Sequence, residues 1–111
     1  MDLISWDHFD KVDIRTGTIT EAKPFPKARK PSYQLLIDFG EMGTRTSSAQ
    51  ITTHYNLEEL VGREVIAIIN FPPRQIANFF SECLVLGVYD KDGEVVLLKP
   101  DKPVGNGRKI G

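Results

Sequence analysis

Short apolar segments rich in β-branched and aromatic residues recur along the chain, a pattern that predicts a protein built mainly from strands. Residues 33–39 place apolar side chains at alternate positions, as in a strand with one buried face, and the following GEMG sequence predicts a turn. The polar sequence of residues 44–51 then predicts a partner strand. The segments EVIAIIN (residues 64–70) and CLVLGVYD (residues 83–90) are apolar on both faces, which predicts two strands covered on both sides.

The first predicted strand changes the parity of its apolar positions. Val12 and Ile14 would face one way, whereas Ile19 would face the other. A glycine between them, Gly17, allows a bulge or a sharp bend, so we expect the irregularity there.

A short helix and a hairpin turn carry their own signals. Asn56 is a candidate N-cap with Glu59 at the N3 position, and Gly62 follows as a candidate C-terminal cap, which predicts a helix of two turns at most. Farther along, Asp92-Gly93 predicts a type I′ hairpin turn into the strand EVVLLKP, residues 94–100.

Five strands with a short helix before the fourth predict an all-β protein. This order is typical of the oligonucleotide/oligosaccharide-binding (OB) fold, a five-stranded Greek-key barrel. Small sandwiches and SH3-like barrels share much of the pattern, and the position of the helix favours the OB-fold. The length of 111 residues predicts one domain, residues 1–111, able to bury roughly two-thirds of the surface of its unfolded chain.

The connection between the apolar segments at residues 64–70 and 83–90 is the candidate functional region. Residues 70–87, NFPPRQIANFFSECLVLG, interleave polar side chains that can hydrogen-bond a ligand with aromatic side chains that can stack on one. A rigid barrel corner with some exposed polar residues is the alternative interpretation.

The net charge of −1 conceals two basic clusters. The first consists of Lys23, Lys27, Arg29 and Lys30, and the second of Lys99, Lys102, Arg108 and Lys109. A nucleic-acid partner would therefore use local patches rather than overall charge, although a solvated loop is the commoner interpretation of one such cluster.

Neither catalysis nor a metal is indicated. His8 and His54 fit no metal-ligand spacing, and the single cysteine, Cys83, lies inside an apolar segment. The chain contains no phosphate-binding loop, nucleophile elbow or dinucleotide fingerprint. We therefore expect no enzyme activity and no cofactor, and the single buried thiol together with the lack of a leader or spanning segment predicts a cytoplasmic protein.

Four motifs in order resemble one family across residues 9–109. They are similar to segments of the CsaA proteins, which are small members of the tRNA-binding-domain family. The motifs are FDKVDIRTGTI, KARKPSYQLLIDFG, TSSAQIT and NFPPRQIANFFSECLVLG. The resemblance implies an OB-fold with extra terminal elements, a homodimer, and recognition of tRNA by shape rather than by anticodon. The wider family commonly has Ser-Glu-Gly-Met where this chain has Ser81-Glu82-Cys83-Leu84.

Binding of tRNA is the first functional hypothesis. Ligands of OB-folds lie across the second and third strands and the neighbouring loops. Four cations are therefore candidates for phosphate contacts: Lys27, Arg29, Lys30 and Arg74. Six polar residues are candidates for contacts to sugars or unstacked bases: Ser47, Ser48, Gln50, Asn70, Gln75 and Ser81.

Binding of polypeptides is the second hypothesis, because the CsaA resemblance also implies an export-related chaperone for unfolded or precursor chains. Exposed aromatic side chains would capture such segments, and the candidates are Tyr55, Phe71, Phe79 and Phe80. Trp6 either packs in a dimer interface, which the resemblance favours, or covers the open end of its own barrel.

Overall fold

The computed structural model describes residues 1–111, which form nine strands, two short helices and a 3₁₀ turn at Gly40–Met42. The helices are α1 (Trp6–Asp10) and α2 (Leu57–Leu60). The strands are β1 (Ile14–Pro24), β2 (Tyr33–Asp38), β3 (Thr44–Ala49), β4 (Glu64–Ile68), β5 (Arg74–Ile76), β6 (Phe79–Ser81), β7 (Leu84–Val85), β8 (Gly87–Tyr89) and β9 (Val95–Leu97). Five of them form an antiparallel sheet in the order β3-β2-β1-β4-β7, curled into a nearly closed barrel that confirms the predicted all-β OB-fold.

The core lies inside this barrel. Alternate residues of β2, Leu35 and Ile37, are buried together with Phe39, as the alternating pattern predicts. Val65 and Ala67 of β4 pack against them in the same cluster. Burial of one face of each strand is the main stabilising contribution in a sheet of this kind.

The barrel closes along a seam between β3 and the segment that follows the β5–β6 hairpin. The Thr46 carbonyl oxygen accepts the Glu82 N–H at 2.8 Å, so one backbone hydrogen bond crosses the seam. Two N–H groups of β3 on this edge donate hydrogen bonds to side chains instead of to backbone. Thr46 N–H donates to Glu82 Oε1 at 2.9 Å, and Ser48 N–H donates to Ser81 Oγ at 3.0 Å. Side chains therefore replace much of the backbone ladder at this seam.

The irregularity of β1 lies elsewhere than predicted. The register with β2 shifts between Ile19 and Glu21, three residues after the glycine that we expected to form the bulge. Gly17 serves close packing, since a Cβ there would lie 2.8 Å from Ile37 Cγ2 and from ring atoms of Phe39. The absence of a side chain lets β1 cross directly over the core.

Helix α2 confirms its predicted start. The Asn56 side chain accepts the N–H of Glu59 at 3.1 Å, and the helix covers a single turn. Gly62 follows with φ +89°, a conformation that favours glycine just after a helix.

The β8–β9 hairpin is present, but its predicted type I′ turn is wrong. Five residues, 90–94, connect the strands, and Asp90 and Glu94 are joined by a 2.8 Å backbone hydrogen bond. A type I′ turn needs positive φ at both central residues, whereas only Gly93 has one here. The prediction that residues 83–90 are covered on both faces is also wrong, because Val88 and Tyr89 are exposed.

The carboxyl-terminal segment is ordered by its own chain. Gly107 N–H donates to Thr16 O at 2.7 Å, and Thr16 N–H donates to Arg108 O at 3.0 Å. Ile110 N–H donates to Ile14 O at 2.8 Å, so residues 107–110 pair with the free edge of β1. These hydrogen bonds within the chain hold the segment in place.

The amino-terminal segment, residues 1–10, contrasts with the barrel. Helix α1 buries none of its residues, and Trp6 is 86% exposed. Leu3 and Ile4 are also exposed. Trp6 therefore does not cover the open end of its own barrel.

Candidate nucleic-acid interface

An open cleft of about 660 Å³ lies beside the seam. It is bounded by the basic loop (residues 25–32), the end of β3, the β5–β6 hairpin and the β8–β9 hairpin. Seven of the candidate residues line it: Arg29, Lys30, Ser48, Gln50, Phe71, Arg74 and Ser81. The fold therefore brings together groups that are up to 52 positions apart in the sequence, Arg29 and Ser81.

The β5–β6 hairpin presents its two faces to different surroundings. Arg74 pairs with Ser81 across the hairpin and both line the cleft, whereas the next pair, Gln75 and Phe80, is absent from the lining because side chains alternate along a strand. The strands are joined at Ala77, which has φ +53°. The alternation decides which polar side chains of this segment can touch a ligand in the cleft.

Three cations surround the cleft without a carboxylate partner. Arg29, Lys30 and Arg74 are exposed, and none of them takes part in a salt bridge. Lys27 is exposed in the same basic loop but does not line the cleft. Unpaired guanidinium and ammonium groups beside polar residues form a suitable surface for phosphates.

Two of the predicted RNA-contacting residues have structural roles instead. Ser47 is only 1% exposed, and its hydroxyl donates to Cys83 O at 3.1 Å, so it braces the seam from inside. Asn70 accepts the Asp13 N–H at 2.9 Å and donates to Lys11 O at 2.7 Å, which fastens the end of β4 to the residues before β1. Neither side chain faces the cleft.

Ser81 lines the cleft and also forms hydrogen bonds within the fold. Its hydroxyl accepts the Ser48 N–H and donates to Cys83 O at 3.3 Å. Gln75, by contrast, lies outside the cleft, where its amide donates to Ala77 O at 3.1 Å.

The four aromatic candidates separate in the structure, and only Phe71 lines the cleft, 49% exposed. Phe79 packs against Phe25 in a tilted arrangement with ring centroids 5.3 Å apart, and Phe80 is exposed but absent from the cleft lining. Tyr55 is a structural residue, because its hydroxyl accepts the Leu97 N–H at 2.9 Å. Of the four aromatic residues predicted to contact a polypeptide, Phe71 alone lines the cleft.

Two further residues of the cleft were missed as contacts in the sequence. Tyr89 is an exposed aromatic at the end of β8, and Leu84 is 47% exposed at the start of β7. Both belong to the apolar segment 83–90, whose pattern predicts burial. No local signal marks them as exposed.

Glu82 also lines the cleft, although the sequence did not single it out as a contact. The Thr46 N–H, followed by the Thr46 hydroxyl, lowers the pKa of its carboxyl group from the ordinary value. Burial opposes this shift, and the Arg45 guanidinium adds a smaller lowering effect. The carboxylate is therefore charged at neutral pH.

Cys83 lies beneath the cleft and is buried. Burial raises the pKa of its thiol to about 12, which leaves it protonated and unreactive at neutral pH. This agrees with the buried thiol that the sequence predicts.

No group of three or more His, Cys, Asp or Glu side chains is arranged to hold a metal ion. None of the helices combines the length and apolarity needed to cross a membrane.

Comparisons with solved structures find close likeness over the whole chain. The CsaA chaperone protein of Picrophilus torridus is 50% identical, with a TM-score of 0.92 over 98% of this chain and 100% of that one. The chaperone CsaA of Bacillus anthracis is 47% identical, with a TM-score of 0.94 over 99% of this chain and 100% of that one.

Curated relatives include methionine–tRNA ligases. The enzyme of Bacteroides fragilis is 39% identical over 96% of this chain, and that of Methanocaldococcus jannaschii is 34% identical over 99%. The chain spans only 16% and 17% of the length of these two relatives.

The family model described as "Putative tRNA binding domain" matches residues 14–109, which include the whole five-stranded barrel and most of the paired carboxyl-terminal segment. The four sequence motifs, the nearly closed barrel and this match agree, and the chain belongs to the tRNA-binding-domain family.

Proposed function

We propose that this protein is a CsaA-type tRNA-binding protein that recognises folded RNA through the cleft, as a single domain and without catalysis. The observation that carries the proposal is the meeting of Arg29, Lys30 and Arg74 around one opening that also contains an exposed aromatic ring. Cations contact phosphates irrespective of sequence, which suits recognition by shape rather than by anticodon.

The polar and aromatic groups of the cleft complement these cations. Ser48 and Gln50 lie at the end of β3, where they can reach sugar hydroxyls or base edges. Phe71 supplies a ring on which an unstacked base can lie, an interaction that tolerates any sequence. The three kinds of contact together match the chemistry of a looped or single-stranded region of RNA.

Capture of unfolded or precursor polypeptides is the second candidate function. It is favoured by the apolar part of the same cleft, which includes Phe71, Ile76, Leu84 and Tyr89. Exposed apolar side chains around an open groove suit an extended polypeptide segment. This activity would add a role in protein export to a cytoplasmic RNA-binding protein.

We further propose that the protein acts as a homodimer through its amino-terminal segment. Leu3, Ile4 and Trp6 project from residues 1–10 with most of their surface exposed, which favours burial against a second copy. Two clefts in one dimer would engage a single folded RNA with higher overall affinity than one cleft.

The test of tRNA binding is the variant Arg74→Ala, measured by filter binding or fluorescence anisotropy with unfractionated tRNA across a salt series. Loss of one phosphate contact lowers affinity about tenfold at low salt and reduces the slope of log K against log salt by about one. Lys91→Ala is the matched control, because it removes one exposed cation that lies outside both basic clusters and does not line the cleft. Equal affinities for wild type and Arg74→Ala would remove the cleft as the RNA site.

The same salt series separates the two candidate functions. Binding of tRNA weakens steeply as salt increases, whereas capture of a reduced, unfolded client by apolar surface persists. Displacement of the client by unlabelled tRNA would indicate one shared cleft, and independent binding would assign the client to another surface.

A further inference from the structure

Glu82 is the one carboxylate among the residues that line the cleft, where it lies with three unpaired cations. The fold holds one of its two oxygens: Oε1 accepts the Thr46 N–H at 2.9 Å and lies 2.8 Å from the Thr46 hydroxyl. Its second oxygen, Oε2, has no hydrogen-bond partner. Glu82 therefore presents a fixed, charged acceptor at the cleft.

A fixed carboxylate repels phosphate, so the cleft offers two chemically different kinds of contact. Phosphates are drawn to Arg29, Lys30 and Arg74, whereas the group that approaches Glu82 must bring N–H donors. In RNA such donors occur on the edges of unpaired bases, and a charged acceptor forms stronger hydrogen bonds with them than a neutral one does.

The four bases differ in what their Watson–Crick edges offer to a carboxylate oxygen. Guanine presents two adjacent donors, N1–H and N2–H, whereas adenine and cytosine each pair one amino group with a ring-nitrogen acceptor. Uracil places its single N3–H between two carbonyl oxygens, which a carboxylate repels. The expected preference at this position is therefore guanine first and uracil last.

We propose that Glu82 selects an unpaired base in the cleft, guanine over uracil, while the neighbouring cations hold the adjoining phosphates. This inference rests on the proposed function in tRNA binding. It gives Glu82 a role in base selection in addition to its structural hydrogen bond with Thr46.

The variant Glu82→Gln tests the proposal with minimal change of shape. Its amide oxygen can still accept the Thr46 N–H, while the outward atom becomes a donor instead of an acceptor. The probes are an octamer of uridine and the same octamer with one central guanosine, each used to displace labelled tRNA from the full-length protein. Thermal unfolding of the variant checks that the seam is intact.

The wild type is expected to bind the guanosine octamer about tenfold more tightly than the uridine octamer, and Glu82→Gln to lose or reverse that preference. Glu41→Gln is the matched control, since it removes one exposed carboxylate that does not line the cleft. Equal strengthening of both octamers by Glu82→Gln would reduce the role of Glu82 to long-range charge and overturn the proposal.

The remaining outcomes separate this inference from the proposed function. If wild type binds tRNA but neither octamer displaces it, or both displace it equally, base selection by Glu82 is wrong and tRNA binding stands. If wild type does not bind tRNA at all, the proposed function fails and the base selection fails with it.

Discussion

The cleft and the amino-terminal segment both expose apolar side chains, but their supports differ. In the cleft, Phe71 and Leu84 lie close to strands that backbone hydrogen bonds hold in place, and cations and polar groups surround them. Trp6 projects from a helix that buries none of its own residues. The cleft, with polar, charged and apolar groups held by the sheet, suits a ligand of varied composition. The exposed apolar side chains of the amino-terminal segment suit a fixed protein partner.

The largest effect is expected at the amino-terminal segment. Trp6→Ala should raise the dissociation constant of the proposed homodimer at least about thirtyfold, because a buried tryptophan contributes about 2 kcal/mol or more to an interface. Sedimentation velocity over a concentration series measures this. Val61→Ala, which truncates an exposed residue beyond α2, should leave the dimer intact. A wild type that stays monomeric at all concentrations would contradict the proposed interface.

Asn70→Ala should separate stability from binding. Loss of its two hydrogen bonds leaves Asp13 N–H without its partner, and the free energy of unfolding should fall by about 1–3 kcal/mol. Affinity of the folded protein for tRNA should stay unchanged, because this side chain does not face the cleft. Urea unfolding and tRNA titration check the two statements, with Gln75→Ala as the exposed polar control. Weakened tRNA binding without lost stability would return Asn70 to the binding site.

Phe71→Ala tests whether the position of an aromatic side chain matters beyond its exposure. Removal of a stacking ring should weaken binding of single-stranded RNA about tenfold. Phe80→Ala is a close control, since Phe80 is also exposed, at 56% against 49%, and does not line the cleft. Equal loss in both variants would show that the cleft has no special role.

The smallest effect concerns acid stability at the seam. Because the folded state lowers the pKa of Glu82 below its ordinary value of 4.5, its stabilising contribution is complete above that value and is lost as the pH falls below it. Urea unfolding at pH 6 and pH 3.5 should therefore show a smaller loss of stability in Glu82→Gln than in wild type. An identical loss in both proteins would contradict the role of the carboxylate.

The strands were predictable because their burial follows local alternation. Leu35 and Ile37 needed no information from elsewhere in the chain to be placed in the core. The inward orientation of Ser47 was predictable too, since it shares its parity with Ala49 and Ile51, which are both buried. The prediction that Ser47 contacts RNA was based on its hydroxyl group and did not take this parity into account.

Other features depended on partners far away in the sequence. Asn70 has the amide of a ligand-binding residue, and only its contacts with Lys11 and Asp13 reveal a structural clamp. The pairing of residues 107–110 with β1 likewise depends on an edge formed more than 90 positions earlier, at Thr16. Local patterns carry no trace of such contacts, so these parts of the site could not be predicted.

The seam also has a consequence for the order of folding. Its bonds join residues that are 33 to 37 positions apart, whereas the turn between β2 and β3 spans only a few residues. Contacts between distant residues form later, because a longer loop must first be closed. The end of β3 and the β5–β6 hairpin, which both line the cleft, lie on opposite sides of this seam. A chain still emerging from synthesis would therefore complete its hairpins well before it acquires a surface able to bind anything.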